Sequence, residues 1–277
     1  MPELPEVETV KEVLKTKVIG KKIKNVNVFY SKIIEYPTND EFVKKLIDET
    51  ICDIKRRGKW LMFELNHYYL LSHLRMEGKY NCKDVSSEIG KHEHVQIVFT
   101  DNTDLRYQDT RKFGRMYLYL KDEVNQKPPL NELGLEPWDT NLSINYLKDK
   151  YKNKKKEIKS VLLDQSIIVG IGNIYADEIL FLSKINPYKK ANELNDIQLK
   201  SIIDNTRIVL EKAIREGGTT IKSYTSSEGV HGRFQQMLNV HQRKNEKCLI
   251  CNSEIIKVVI GGRGTYYCPE CQKKDIV

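Results

Sequence analysis

Four cysteines, Cys248, Cys251, Cys268 and Cys271, fall into two Cys-x2-Cys pairs with sixteen residues between them. Each pair presents two thiolates from one turn, and two such turns complete a tetrahedral site for zinc. Four protein thiolates leave no open position, so one Zn2+ ion held there is structural. Two unrelated pairs of thiols are the alternative. Between the pairs, Ile255–Ile260 and Thr265–Tyr267 read as a hairpin around Gly261-Gly262-Arg263-Gly264. Arg263 then sits at the tip, either solvated or touching a phosphate.

A second set lies in Met1-Pro2-Glu3-Leu4-Pro5-Glu6. The small Pro2 permits removal of Met1, which exposes a secondary amine. Such an amine can attack an aldehyde-level carbon and lose water to an iminium, as lysine does in Schiff-base enzymes. A free α-amine titrates at roughly 7.7–8.0, so part of it is neutral near pH 7. Glu3 is adjacent and could supply a proton. With Met1 retained, the Pro2 nitrogen is an amide and cannot attack. Pro and Glu are also ordinary first-turn helix residues, and the residues by themselves favour that reading.

Two further stretches could meet a polyanion. Val169-Gly170-Ile171-Gly172-Asn173-Ile174-Tyr175-Ala176-Asp177-Glu178 makes a tight turn that opens a helix at Asn173, where N–H groups could cradle a phosphate. It lacks the third glycine of a dinucleotide fingerprint, so a plain helix corner is an equal reading. Asp109-Thr110-Arg111-Lys112-Phe113-Gly114-Arg115 interrupts a basic cluster with a ring. Cations there could hold phosphates while Phe113 wedges between bases, with Met76 as a second wedge. Taken singly, each apolar residue reads more readily as core. Lys154-Lys155-Lys156 and Lys159 would add phosphate contacts, or form a solvated face.

The elements that position these residues show in the periodicity. Val7, Val10, Val13, Leu14 and Val18 follow one helical face over Pro5–Val18. Ile23–Phe29, Trp60–Leu65, Tyr69–Leu74, Val95–Phe99 and Met116–Leu120 read as strands. They imply a β-sandwich with one helix packed at its start. After the linker Lys127-Pro128-Pro129 the pattern turns helical: Ile144–Lys150, Asn173–Leu182 and Asp196–Glu216, ended by Gly217-Gly218. Thr219–Gly232 reads as a mobile loop. The fold class is thus α+β and multidomain. The 277 residues, 40% of them hydrophobic, suffice for several cores. No apolar run is long enough to span a membrane, and no signal peptide is expected. Residues 1–150 carry 25 Lys+Arg against 24 Asp+Glu, whereas 151–277 carry 21 against 14. The basic second half suits a nucleic-acid partner.

Together these motifs resemble the formamidopyrimidine-DNA glycosylase family, bacterial repair enzymes for 8-oxoguanine and ring-opened purines. PELPEVET at Pro2–Thr9, KHEHV at Lys91–Val95, RKFG at Arg111–Gly114, VGIGNIYADE at Val169–Glu178, GGTT at Gly217–Thr220 and the four cysteines keep the family order along the whole chain. The resemblance implies an N-terminal β-sandwich over residues 2–131, a helix–two-turn–helix domain over 132–238 and a zinc finger over 239–277. It implies a monomer acting on damaged double-stranded DNA in the cytoplasm, on the nucleoid. Pro2 is then the nucleophile at sugar C1′ and Glu3 the acid for ring opening. Lys59 assists β-elimination and Arg263 δ-elimination. His92, Arg111, Lys154 and Asn173 contact DNA, and Met76, Arg111 and Phe113 fill the gap left by a flipped nucleotide. Thr110, Lys112 and His241 depart from the usual proline, arginine and tyrosine. The rivals are an endonuclease VIII-like enzyme for oxidised pyrimidines and a non-catalytic zinc-ribbon DNA-binding protein.

Overall fold

The structure, a computed structural model, describes residues 1–219 and 232–274. It divides into two compact units, Met1–Asn131 with Thr219–Gly232, and Glu132–Gly218 with Arg233–Val277. Most of the expected loop Thr219–Gly232 lies outside the described residues, as does Thr220 of the GGTT motif.

The first unit opens with helix α1 (Leu4–Val18), whose Val7, Val10, Leu14 and Val18 are all buried. Nine strands then form two sheets. One runs in the order β1 (Ile23–Val28), β7 (Glu93–Phe99), β8 (Thr103–Gln108), β6 (Lys79–Asp84). The other runs β2 (Ile34–Tyr36), β9 (Arg115–Leu120), β5 (Tyr68–His73), β4 (Trp60–Glu64), β3 (Asp53–Arg57). Val95, Ile97, Leu105 and Tyr107 of the first sheet share one apolar cluster with Leu61, Phe63, Leu70 and Leu118 of the second. The α1 stripe enters the same cluster, which makes the sandwich with its packed helix. A short helix, α2 (Asn39–Leu46), adds Phe42 and Leu46. Its start is written as Thr38-x-x-Glu41, with the Thr38 hydroxyl accepting from the Glu41 N–H at 3.4 Å.

Strand β8 carries weaker periodicity because charge is buried in it. Arg106 of β8 is fully enclosed, donating to Asp104 Oδ2 at 2.9 Å and Glu93 Oε2 at 3.0 Å. Its remaining N–H groups donate to the carbonyls of Asp84, Ser87 and Glu88. A buried cation is tolerated only when paired and hydrogen-bonded in this way.

The second unit contains α3 (Ile144–Tyr151), α4 (Ile158–Leu162), α5 (Asn173–Leu182) and α6 (Asp196–Arg215), then the hairpin β10 (Ile256–Ile260) and β11 (Arg263–Tyr267). Helix α5 is buried along nearly its whole length, which explains a run whose apolar residues are interrupted only by Asn173, Asp177 and Glu178. Helix α6 shows the amphipathic stripe of Leu199, Ile202, Ile203, Thr206, Val209, Leu210 and Ala213. The cysteine hairpin belongs to this unit: Phe181 of α5 shares a cluster with Val240, Cys248, Ile255 and Cys268. Among the described residues no helix is long and apolar enough to cross a membrane.

Candidate active site and nucleic-acid interface

In the first unit, Pro2 and Glu3 precede the first turn of α1, and both are buried. Glu6 holds this start in place. Its Oε2 accepts the Glu3 N–H at 2.8 Å, closing a capping box. Its Oε1 accepts the N–H of Thr219 at 2.8 Å and its hydroxyl at 3.1 Å. The terminal amine, here on Met1, is held below its ordinary pKa by burial, which outweighs the opposing carboxylates of Glu3 and Glu6. Lys59 adds to the lowering and Glu77 opposes it. Glu77, beside Met76, is a neighbour of the terminus that the sequence motifs did not single out.

Lys59 lies in the two-residue turn between β3 and β4 and is buried, with Gly58 at φ +57° making the turn possible. Arg56 ties that turn to α1, donating to Gly58 O at 2.9 Å and to Glu8 Oε2 at 2.7 Å. Next to it, His73 packs edge-on against Trp60 and accepts the Arg75 N–H at Nδ1. Burial first, then the charges of Arg75 and Lys59, push His73 down to about 3, so it is neutral.

Phe113 is 45% exposed and is not a core residue. The Arg111 guanidinium lies 4.7 Å from the centre of its ring, so the two side chains stand together. Met76 occupies the turn after β5 and is half-buried. Asp109, fully buried, organises the Phe113 segment: its carboxylate accepts the N–H groups of Arg111 at 3.0 Å, Phe113 at 2.8 Å and Gly114 at 2.8 Å. Lys112 takes φ +58° there, with its ammonium over the Tyr30 ring. Thr110 therefore stands in a loop shaped by Asp109 rather than by a proline. His92 is half-buried, and its carbonyl accepts the Asp109 N–H at 3.0 Å. His94 donates from Nε2 to Asp109 O at 2.7 Å, placing the KHEHV and RKFG motifs side by side.

In the second unit, Asn173 is the first residue of α5, after Gly170 at φ +89°. Its Nδ2 donates to Gly264 O at 2.9 Å, while Oδ1 is buried without a hydrogen-bond partner. That carbonyl contact fixes the amide orientation, so an anion there would be met by N–H groups and not by Oδ1. Lys154 is partly exposed and pairs with Asp164 at 3.1 Å. It lines an open concavity with Lys155, Lys156 and Ser160.

Lys159 differs from its three neighbours and from the expectation of a phosphate contact. It is fully buried, bonded to Asp177 Oδ1 at 2.6 Å and Asn173 O at 2.8 Å. The other Asp177 oxygen lies 2.6 Å from Nδ1 of His241, which gives that histidine its place. Glu178 accepts the N–H groups of Asn239, Val240 and His241. The acidic end of VGIGNIYADE thus anchors the segment entering the cysteine region. Arg263 also differs from expectation. The turn is only Gly261-Gly262, both at positive φ, and Arg263 is the exposed first residue of β11, paired with Ile260.

The four cysteine sulfurs lie within 4.8 Å of one another. Cys251 and Cys268 stand 3.4 Å apart and Cys248 and Cys271 3.8 Å apart. Zinc–sulfur bonds of about 2.3 Å give a tetrahedron edge of about 3.8 Å, whereas a disulfide needs about 2.05 Å. The cluster fits one structural zinc.

Three family models match the chain: the formamidopyrimidine-DNA glycosylase N-terminal domain over residues 1–116, the formamidopyrimidine-DNA glycosylase H2TH domain over 133–225, and a zinc finger found in FPG and IleRS over 245–274. The chain belongs to the formamidopyrimidine-DNA glycosylase family. It is 46% identical over 275 residues to the enzyme of that name from Bacillus cereus, covering 99% of this chain and all of the relative. The Bacillus subtilis enzyme matches equally, 46% over 275 residues. A Lactococcus lactis FPG mutant bound to a Fapy-dG containing DNA has a TM-score of 0.92 at 38% identity, covering 99% of this chain and all of that one. The Lactococcus lactis protein with an abasic site containing DNA has the same score and identity over 98% of this chain.

Proposed function

We propose that this glycosylase excises oxidised purines, 8-oxoguanine and formamidopyrimidines, from damaged double-stranded DNA and then cuts the abasic strand, with Pro2 as nucleophile. The observation that carries the reading is the buried chain start, where an amine is held below its ordinary pKa beside Glu3 and Lys59. After Met1 is removed, the neutral Pro2 nitrogen attacks C1′ and the bond from C1′ to the base breaks. Glu3 protonates the ring oxygen as the sugar opens, leaving an iminium between Pro2 and C1′. The cation acidifies C2′. Lys59 takes part in the loss of that proton, and the 3′ phosphate departs. Arg263 assists the second elimination, at the 5′ side. A damaged base must leave the stack to be reached, at a cost of a few kcal/mol. Met76, Arg111 and Phe113 refill the gap, which the exposed Arg111–Phe113 pair supports. His92, Lys154 and the Asn173 helix start hold phosphates.

The whole-length relatives favour this reading over an endonuclease VIII-like enzyme and over a non-catalytic zinc-ribbon protein. Three domains (2–131, 132–238 and 239–277), a monomeric state and a place in the cytoplasm on the nucleoid complete the proposal. The test is borohydride reduction during reaction with an 8-oxoguanine duplex, followed by digestion and mass spectrometry. The sugar should be found on Pro2. Its appearance on Lys59 or another lysine in fully processed enzyme would overturn the mechanism. Faster excision of thymine glycol than of 8-oxoguanine would overturn the substrate class.

A further inference from the structure

Tyr107 lies at the end of β8 with 1% of its surface exposed, and the proposed chemistry does not use it. Its ring packs edge-on against Tyr80, with centroids 5.3 Å apart. Its hydroxyl occupies a narrow gap between two backbones. A Cβ built on Gly78 would fall 2.2 Å from that oxygen, and one built on Gly114 would fall 1.8 Å from it. Gly78 ends the turn that carries Met76, and Gly114 directly follows Phe113. A side chain at either position would run into this phenol oxygen, and at Gly78 into the Leu74 carbonyl oxygen at 2.5 Å as well. The hydroxyl also donates to Asp109 Oδ2 at 3.4 Å, and that oxygen accepts the N–H groups of Phe113 and Gly114. The Met76 turn and the Phe113 loop belong to different stretches of chain, and they meet on one side-chain atom.

We propose that Tyr107 is a positioning residue that locks the Met76 turn and the Phe113 loop into one rigid wedge, so that both side chains enter an opened DNA stack together. This rests on the reading of Met76 and Phe113 as gap-filling residues. The physical ground is preorganisation. A side chain that must enter a transient gap contributes only the stacking energy left after its own ordering. Two wedges held on one buried hydroxyl require that ordering once, at folding, and not at each encounter. The hydroxyl contributes nothing to the sugar chemistry, so its loss should leave elimination at an already abasic sugar untouched.

The test uses the full, processed, zinc-loaded protein and Tyr107→Phe, which keeps the ring and removes the oxygen. Single-turnover excision from an 8-oxoguanine duplex should slow about 5- to 20-fold. Strand cutting at a preformed abasic site in single-stranded DNA should change less than twofold. A 2-aminopurine placed opposite the lesion should report a slower, smaller fluorescence change on binding. The decisive measurement is the pair of double-mutant cycles: in a Phe113→Ala or a Met76→Ala background, Tyr107→Phe should add less than twofold, because the groups it positions are gone. Full additivity in both cycles overturns the lock, as does an equal loss on the two substrates. So does an unchanged excision rate in Tyr107→Phe while Phe113→Ala is slowed selectively on lesion duplex. If Phe113→Ala shows no lesion-selective loss, the wedge reading itself fails and the lock falls with it.

Discussion

Replacing Glu6 by glutamine removes one negative charge and one acceptor from a buried carboxylate that serves three donors. Glu6 is 3% exposed, and its oxygens accept from the Glu3 N–H, the Thr219 N–H and the Thr219 hydroxyl. A glutamine has one acceptor oxygen. Turned toward Thr219, it keeps two bonds, and its NH2 group then faces the Glu3 N–H, donor against donor. One charge-assisted bond disappears and the other two become neutral. With charged bonds worth about 1.5–3 kcal/mol and neutral ones about half that, the loss is about 3–6 kcal/mol. It falls on the turn that sets Glu3. Urea unfolding should show a lower midpoint at unchanged slope, and single-turnover excision of 8-oxoguanine should drop at least tenfold. Thr219→Val, tested in the same cycle, should be non-additive with Glu6→Gln. A destabilisation below about 0.5 kcal/mol with normal excision would refute the argument that Glu6 holds the catalytic terminus.

Three other outcomes follow from the same structure. The folded pKa of His73, about 3, lies below its ordinary 6.5, so the stabilisation is fully present above pH 6.5 and fades as pH falls toward 3. The fade amounts to about 1.4 kcal/mol per pH unit, and urea titrations at pH 7, 6, 5 and 4 should show that slope reduced in His73→Gln. Asp177→Asn leaves the Lys159 ammonium enclosed without its counter-charge. It should destabilise the second unit by about 3–5 kcal/mol, and wild-type unfolding midpoints in the variant would dismiss that estimate. Cys268→Ser should release zinc and weaken DNA binding while the sandwich keeps its circular dichroism. Finding no zinc by metal analysis in active wild-type protein would dismiss the structural role of the four cysteines.

Short-range chemistry was readable directly from the residues. The cysteine spacing identifies a metal site because ligand geometry is local to two turns. The apolar stripe of α1 declares its buried face because that face is set by a period along one element. The family order of the motifs added roles that spacing alone does not supply. What the residues could not disclose are the partners of charged groups far apart in the chain. Lys159 looks like the end of a basic run, yet it is buried against Asp177, eighteen positions away. Arg106 in a strand looks like a solvated charge until Glu93, Asp104 and three carbonyls close around it. Glu6 reads as a first-turn residue, and only the fold brings Thr219 to it. The same holds for Gly114, whose need for glycine comes from the side chain of Tyr107. A period along the chain fixes which face an element buries. The atom that meets that face is chosen by packing between elements, and it leaves no periodic trace in the sequence.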